Sequence, residues 1–293
     1  MRNYNIKMKE FIMFKLSVIG DEISSNLQEQ VNLLIQENIN HIELRSINNK
    51  NIVNWTSHEL SEVKKLLDGN NITVSGLSSP IGKTPITDPP DLSLANFQKI
   101  LDYADYFQTN NIRIFGYYLP DTDHMSWGNA VVDRLHILLE TAKTRGHILH
   151  LENEDGSLFG STPDEVRFIN KHISSPSFDF LYDPGNYIYF MKEAVTHEMT
   201  PLMLPLTGYL HVKDIKLGSN QFLVPGKGDC EFEKIITELC KLKQTDVISL
   251  EPHLQGGDSK GGFSGIEPTR EAIRSLKNIL NNIEMKESLS KNA

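Results

Sequence analysis

Short apolar runs of β-branched, leucine and aromatic residues alternate with longer stretches of helical period along the chain. This alternation constrains the fold more than any other feature. The runs are 15–19 KLSVI, 40–44 NHIEL, 72–77 ITVSGL, 111–115 NIRIF, 147–152 HILHLE, 178–182 FDFLY, 208–213 GYLHVK and 246–251 DVISLE. Between them lie amphipathic stretches at 27–36, 59–67, 94–107, 129–144, 164–172, 231–242 and 269–283, with 192–207 the weakest of the series. Apolar residues spaced three and four apart in such stretches mark one buried helix face. Helix starts carry their own chemistry: Thr56 to Glu59 and Thr162 to Glu165 have capping-box spacing, in which a hydroxyl and a carboxylate satisfy free backbone N–H groups reciprocally. Eight strands each followed by a helix, with no linker or low-complexity segment, predict an α/β fold, a single-domain (β/α)8 TIM barrel. A doubly wound open sheet is the alternative. It wants a glycine-rich phosphate turn after the first strand, and GDEISS is not one.

At 293 residues and 39% hydrophobic content the chain has ample material for one such core. The barrel domain is expected over 14–293, with 1–13 a poorly structured extension; Met8 and Met13 leave an internal start open. The apolar FIMF in this extension is too short for a signal segment, and no small-residue cleavage site follows it. No later stretch approaches the roughly 20 apolar residues that span a bilayer. The formal net charge of −9 leaves no basic footprint for nucleic acid or an anionic membrane. Cys230 and Cys240, far from any CxxC spacing, read as reduced thiols of a cytoplasmic protein.

Barrels of this kind deliver functional side chains at the C-terminal ends of their strands. Here those ends are polar while the strand bodies stay apolar. Asp21 and Glu22 follow the first strand, Glu43 and Arg45 end the second, and Ser79 and Lys83 follow the third. Glu152 and Glu154 end the fifth, Asp183 and Asn186 the sixth, His211, Lys213 and Asp214 the seventh, and Glu251 and His253 the eighth. A buried carboxylate needs a partner or gives up its charge. One strand-end acid alone is most simply a helix cap or a salt-bridge partner; a series at one rim points to a site. Glu152, Asp183 and Glu251 with the imidazole of His211 suit one divalent cation, Mn, Mg, Co or Zn, which relieves the repulsion among three carboxylates. Glu43 and Arg45 share a strand face, so a simple ion pair between them competes with a site role. Lys213 shares the face of His211. His150, two residues before Glu152, reads as a core histidine with satisfied hydrogen bonds. Glu154 is expected to face substrate or a lysine, and Lys83 reads first as a solvated charge.

The series LENE, YDPGN, HVKD, VPGKGD and LEPH, in this order at these strand ends and preceded by GDEISSNLQEQVNLL and INHIELRS, resembles the xylose isomerase-like TIM barrel superfamily. This is the sugar phosphate isomerase/epimerase group, which includes the apurinic endonuclease family 2 type. VPGKG and LEP are similar to pieces of the ketose 3-epimerases. The resemblance runs from about Lys15 to the last helix. It implies one divalent ion on Glu152, Asp183, His211 and Glu251, with Glu152 and Glu251 also acting as acid and base on opposite faces of the substrate, through an enediolate. Candidate substrate-binding residues are Glu22, Arg45, Lys83, Glu154, Asn186, Lys213, Lys227 and His253. Lys227 lies in PGKGD, whose glycines let backbone approach a ligand closely.

Two departures narrow the implication. Ketose 3-epimerases carry a histidine three residues after the sixth-strand aspartate, where this chain has Asn186, so their substrate is not assumed. Apurinic endonucleases need three zincs and histidines that GLSSPIG and IRIFGYY do not supply. The expected function is a divalent-metal-dependent isomerase or epimerase acting on a small-molecule carbohydrate, either a sugar or a sugar-derived ketone. A lyase or dehydratase acting on a keto-sugar or inosose shares the same first proton abstraction. A sugar-binding barrel without turnover is the reading outside catalysis. Neither nucleic acid nor membrane is expected as a partner; homo-oligomers are common among such barrels.

Overall fold

In the computed structural model, which describes residues 14–120, 123–254 and 264–291, eight parallel strands close into a barrel. They are Lys15–Ile19 (β1), His41–Leu44 (β2), Thr73–Leu77 (β3), Asn111–Ile114 (β4), Ile148–Glu152 (β5), Phe178–Tyr182 (β6), Thr207–Val212 (β7) and Val247–Leu250 (β8). Each pairs with its neighbours in sequence, and β1 closes on β8 with Val18 opposite Leu250. The surrounding helices are Leu27–Gln36 (α1), Ser57–Gly69 (α2), Pro90–Phe107 (α3), His124–Lys143 (α4), Pro163–His172 (α5), Pro184–Met191 (α6), Phe232–Leu242 (α7) and Ile266–Lys291 (α8). The proposed extension at 1–13 lies outside the described residues. No helix among the described residues is long and apolar enough to cross a membrane.

Alternation sets what each strand contributes. In β5, Leu149 and Leu151 join the buried layer between barrel and helices, while His150 and Glu152 face the interior. That interior is not the apolar plug suggested by the strand bodies. Ser17 and Ser75 hydroxyls meet at 2.7 Å, Asn111 Nδ2 donates to the Ser75 carbonyl at 2.7 Å, and His150 Nε2 meets Asn111 Oδ1 at 2.9 Å. His150 also pairs with Asp179 through Nδ1, so it is the satisfied core histidine expected. These groups come from different strands, and only closure of the barrel brings them together.

Both capping boxes form, with Glu59 returning to the Thr56 backbone and Glu165 to that of Thr162. Glu165 Oε2 also accepts from Gly160 and Ser161 N–H at 3.0 and 2.9 Å, pinning the loop that leaves β5. The weak pattern at 192–207 is not one helix. Chain turning helical after β6 does so at Pro184, because Asp183 caps α6 by accepting from Asn186 N–H at 2.9 Å and proline suits the first turn. Within 192–207 only Met199–Met203 and a single 3-10 turn at Leu204–Leu206 are helical. Cys230 is buried, Cys240 is half-buried on α7, and neither is in a disulfide.

Candidate metal centre

At the C-terminal rim, Glu152 from β5, Asp183 after β6, His211 from β7 and Glu251 after β8 converge. One ligand atom from each lies within 4.8 Å of all the others, and all four residues are buried. Register explains the meeting. Ser249 of β8 pairs with His211 of β7 and Leu250 with Val212; Glu251 N–H then donates to the Val212 carbonyl at 3.0 Å, which sets Glu251 beside Lys213. Asp183 is held from both sides of its backbone: its N–H donates to Asn153 Oδ1 and its carbonyl accepts from Asn153 Nδ2, each at 2.8 Å. Asn153 thereby ties the end of β5 to the end of β6.

The imidazole of His211 is fully buried. Its Nδ1 faces Glu152 Oε1 at 3.1 Å and Glu251 Oε2 at 3.2 Å, and its Nε2 faces both Glu43 oxygens at 3.1 Å. Lys213 Nζ lies 3.0 Å from Asp183 Oδ2 and 2.9 Å from Glu251 Oε2, and Arg113 Nη1 lies 3.2 Å from Glu152 Oε2. Those separations suit charge attraction but miss the hydrogen-bonding direction. Among the described residues, Glu152 Oε2, Asp183 Oδ2 and Glu251 Oε2 are buried without a hydrogen-bond donor. Three convergent carboxylates beside an imidazole nitrogen form a donor set that could hold a divalent cation. The residues present fit such an ion.

Electrostatics point the same way. Burial, offset in part by Lys213 and reinforced by Glu251 and Glu152, pushes the Asp183 carboxyl up to about 6. Burial also opposes ionisation of Glu251, but Lys213, His253, His211 and Arg45 outweigh it and hold that carboxyl well below the usual range. For Glu152 the burial penalty is outweighed by Arg113 and His211. Burial alone would keep His211 neutral, yet Glu43 and Glu152 raise its basicity well above the ordinary value. Six carboxylates (Asp21, Glu22, Glu43, Glu152, Asp183, Glu251) face three basic side chains (Arg45, Arg113, Lys213) here. With His211 neutral, as a metal ligand must be, the balance of these groups is three negative charges, and a dication would reduce it to one.

The other sequence-predicted residues divide. Lys213 and Asn186 join the cluster: Lys213 donates to Asn186 Oδ1 at 3.0 Å, and Asn186 Nδ2 reaches Glu152 Oε1 at 3.3 Å. Arg45 also reaches Glu251, but its guanidinium is held as well by Asp21 at 2.9 Å and Glu22 at 2.7 Å. It braces a proposed ligand and has no open face for a substrate anion. Arg45 and Glu43 do not pair with each other; they diverge to partners on different strands. Glu22 is saturated by Arg45, by His253 N–H at 3.1 Å and by the Ser264 hydroxyl at 2.9 Å, and so fastens the ends of the segment after β8. The His253 ring lies 3.1 Å from Glu22 and 3.9 Å from Glu251. Glu154 does meet a lysine: Lys83 pairs with it at 2.6 Å, half-buried, with the ammonium 4.4 Å from the Phe115 ring centroid.

Lys227 is exposed, and its side chain makes no polar contact among the described residues. The glycines of VPGKGD admit an internal carboxylate. Asp214 Oδ2 accepts from Gly226 and Gly228 N–H at 2.7 and 2.9 Å, and a Cβ at Gly228 would fall 2.2 Å from Asp214 Oδ1. Sequence reading passed over Arg113 and Asn153. An arginine alternating with isoleucines in NIRIF was the available signal for Arg113, since a charge inside a barrel strand must find a counter-charge across it.

Fold and rim together define a class, the (β/α)8 barrels with a carboxylate–imidazole cluster at the strand C-termini. Residues 34–279 match the family of xylose isomerase-like TIM barrels, and the chain belongs to that family. No curated protein matches it. Among solved structures it is similar to a D-tagatose 3-epimerase-like protein, with TM-score 0.73 and 16% identity over 93% of this chain and 99% of the other. It is similar also to D-psicose 3-epimerase from Clostridium cellulolyticum H10, with TM-score 0.68 and 14% identity over 93% and 99%. A third is a probable 3-DHS dehydratase from Bacillus anthracis, with TM-score 0.69 and 14% identity over 90% and 99%. At these identities the likeness is one of fold.

Proposed function

We propose that the protein is a divalent-metal-dependent isomerase or epimerase of a small sugar or sugar-derived ketone. The observation that carries this reading is the convergence at the strand C-termini of His211 with three buried carboxylates, whose oxygens Glu152 Oε2, Asp183 Oδ2 and Glu251 Oε2 are met by ion pairs alone. Glu152, Asp183, His211 and Glu251 would hold the ion. When bound, it supplies Lewis-acid polarisation of a carbonyl and its neighbouring hydroxyl, which acidifies the intervening C–H. The chain's own residues do the rest. Glu152 takes a proton from carbon, and Glu251 delivers one to the opposite face, which inverts that centre; delivery to the adjacent carbon isomerises the sugar instead. Lys213, anchored by Asn186, offsets the charge of Asp183 and Glu251 before reaction, and Glu251 must first take up a proton, from solvent or from the ammonium 2.9 Å away, before it delivers one to carbon. The likeness in fold to a D-tagatose 3-epimerase-like protein and to D-psicose 3-epimerase supports a carbohydrate substrate.

A metal-dependent dehydratase or lyase begins with the same proton abstraction and then expels a β-substituent; the dehydratase among the structural neighbours keeps that reading open. One experiment addresses both. Ketoses, inososes and 3-keto-glycosides incubated with the protein in heavy water are expected to show Mn2+-dependent C–H exchange by NMR in at least one class. Inversion or carbonyl migration in the product marks the isomerase chemistry, and loss of a substituent marks the lyase. Exchange that survives EDTA, or none in any class with metal present, contradicts the proposal.

A further inference from the structure

We propose that Glu43 is a positioning residue for the metal centre, holding the His211 proton on Nε2 so that Nδ1, on the side of Glu152 and Glu251, is the nitrogen that would ligate the ion. This inference rests on the metal reading above. Glu43 projects from β2 and reaches across the barrel to β7, where His211 Nε2 lies 3.1 Å from each of its oxygens. Two hydroxyls crowd the same carboxylate: Ser78 Oγ bonds to Oε1, and Tyr209 OH donates to Oε2 at 2.8 Å. An ionised carboxylate only accepts, so all three neighbours must bring a proton. The Tyr209 phenol can meet an ionised carboxylate only as a donor, while Ser75 Oγ, 3.2 Å from the phenol oxygen, gives its own proton to the Ile42 carbonyl at 3.1 Å. Nε2 therefore carries a proton; Nδ1, 3.1 Å from Glu152 Oε1, is the nitrogen whose proton an ion would displace.

The ring is held by packing as well. Tyr209 meets His211 edge to face with centroids 5.7 Å apart, and His211, Glu43 and Tyr209 are all at most 2% exposed. A neutral imidazole ligates through its unprotonated nitrogen, and a carboxylate on the opposite N–H fixes the tautomer and makes the ligating nitrogen more basic. Nδ1 is the nitrogen that faces the proposed ligands, Glu152 through Oε1 and Glu251 through Oε2. Glu43 thus does its work on the far side of the ring, without reaching the reacting atoms.

Two measurements test the assignment together: Mn2+ titration calorimetry, and nitrogen-15 NMR of histidine-labelled protein loaded with Zn2+. Wild type is expected to carry the His211 proton on Nε2, and Glu43→Gln to bind Mn2+ about 10- to 100-fold more weakly. A Zn2+-loaded wild type with the proton on Nδ1 overturns the inference, as does a Glu43→Gln affinity within about twofold of wild type. The NMR arm needs no variant, so it decides even if Glu43→Gln fails to fold. Wild type that binds no divalent ion refutes the metal reading and the role of Glu43 with it. Tight wild-type binding with unchanged variant affinity refutes the role of Glu43 alone.

Discussion

Glu152→Gln is expected to lower deuterium incorporation from solvent into substrate by about a thousandfold or more, while the far-ultraviolet circular dichroism stays that of the wild type. Glutamine matches the volume and can still face Asn186 Nδ2 and His211 Nδ1, which lie 3.3 and 3.1 Å from Glu152 Oε1. It cannot take a proton from carbon. The fold tolerates the change because Arg113, which loses its counter-charge, still stacks over the Phe115 ring at 4.8 Å. The substitution also removes an anionic ligand, so exchange is measured at saturating Mn2+ with bound metal quantified in parallel. Wild-type exchange in metal-loaded Glu152→Gln would take Glu152 out of the base role.

Lys213→Met is expected to cost EDTA-treated protein about 3 kcal/mol or more of unfolding free energy, and added Mn2+ to restore most of it. The ammonium sits at 3.0 and 2.9 Å from oxygens of Asp183 and Glu251, both buried, and methionine fills its space without its charge. The loss is limited because Asp183 can neutralise itself by taking up a proton, its carboxyl being already pushed up to about 6 from 3.8. A carboxyl raised on folding stabilises the folded state fully below its unfolded value and loses that contribution as pH rises through its folded value. Metal-free wild type therefore loses this share between pH 3.8 and about 6 and then levels off. The variant, with Asp183 raised further, continues to fall, so the Asp183 share of the deficit opens above about pH 6. Urea unfolding near pH 5 and pH 8, with and without Mn2+, measures it. Equal stabilities of variant and wild type near pH 8 in EDTA would show that Lys213 does not balance the carboxylates.

The eight strands and the four converging groups are legible in the sequence because both follow from local periodicity. A β-branched run of four to six residues announces a strand, and its last polar residue announces the rim. Partnership across the barrel is not local. Glu43 and Arg45, two apart on one strand face, suggest each other, yet closure gives Glu43 to His211, 168 residues away, and Arg45 to Glu251, 206 residues away. Asp214 illustrates a second limit. In HVKD it resembles any other rim acid, and only the folded loop shows that Gly226 and Gly228 wrap their N–H groups around it. The polar interior was hidden for the same reason: Ser17, Ser75 and His150 each stand alone in an apolar strand, and Asn111 reads as the end of the polar loop before its strand. The start of α6 was legible in principle, since Asp183-Pro184 is a helix-start signature, but the strand-end motif YDPGN drew the same residues into the site.

Anomalous X-ray diffraction from crystals grown with Mn2+, without chelator at any step, tests the central claim most directly. A single Mn2+ peak bonded to Glu152, Asp183, His211 through Nδ1, and Glu251 is the predicted result. No peak at the rim, with those carboxylates still turned to Lys213 and Arg113, would contradict it.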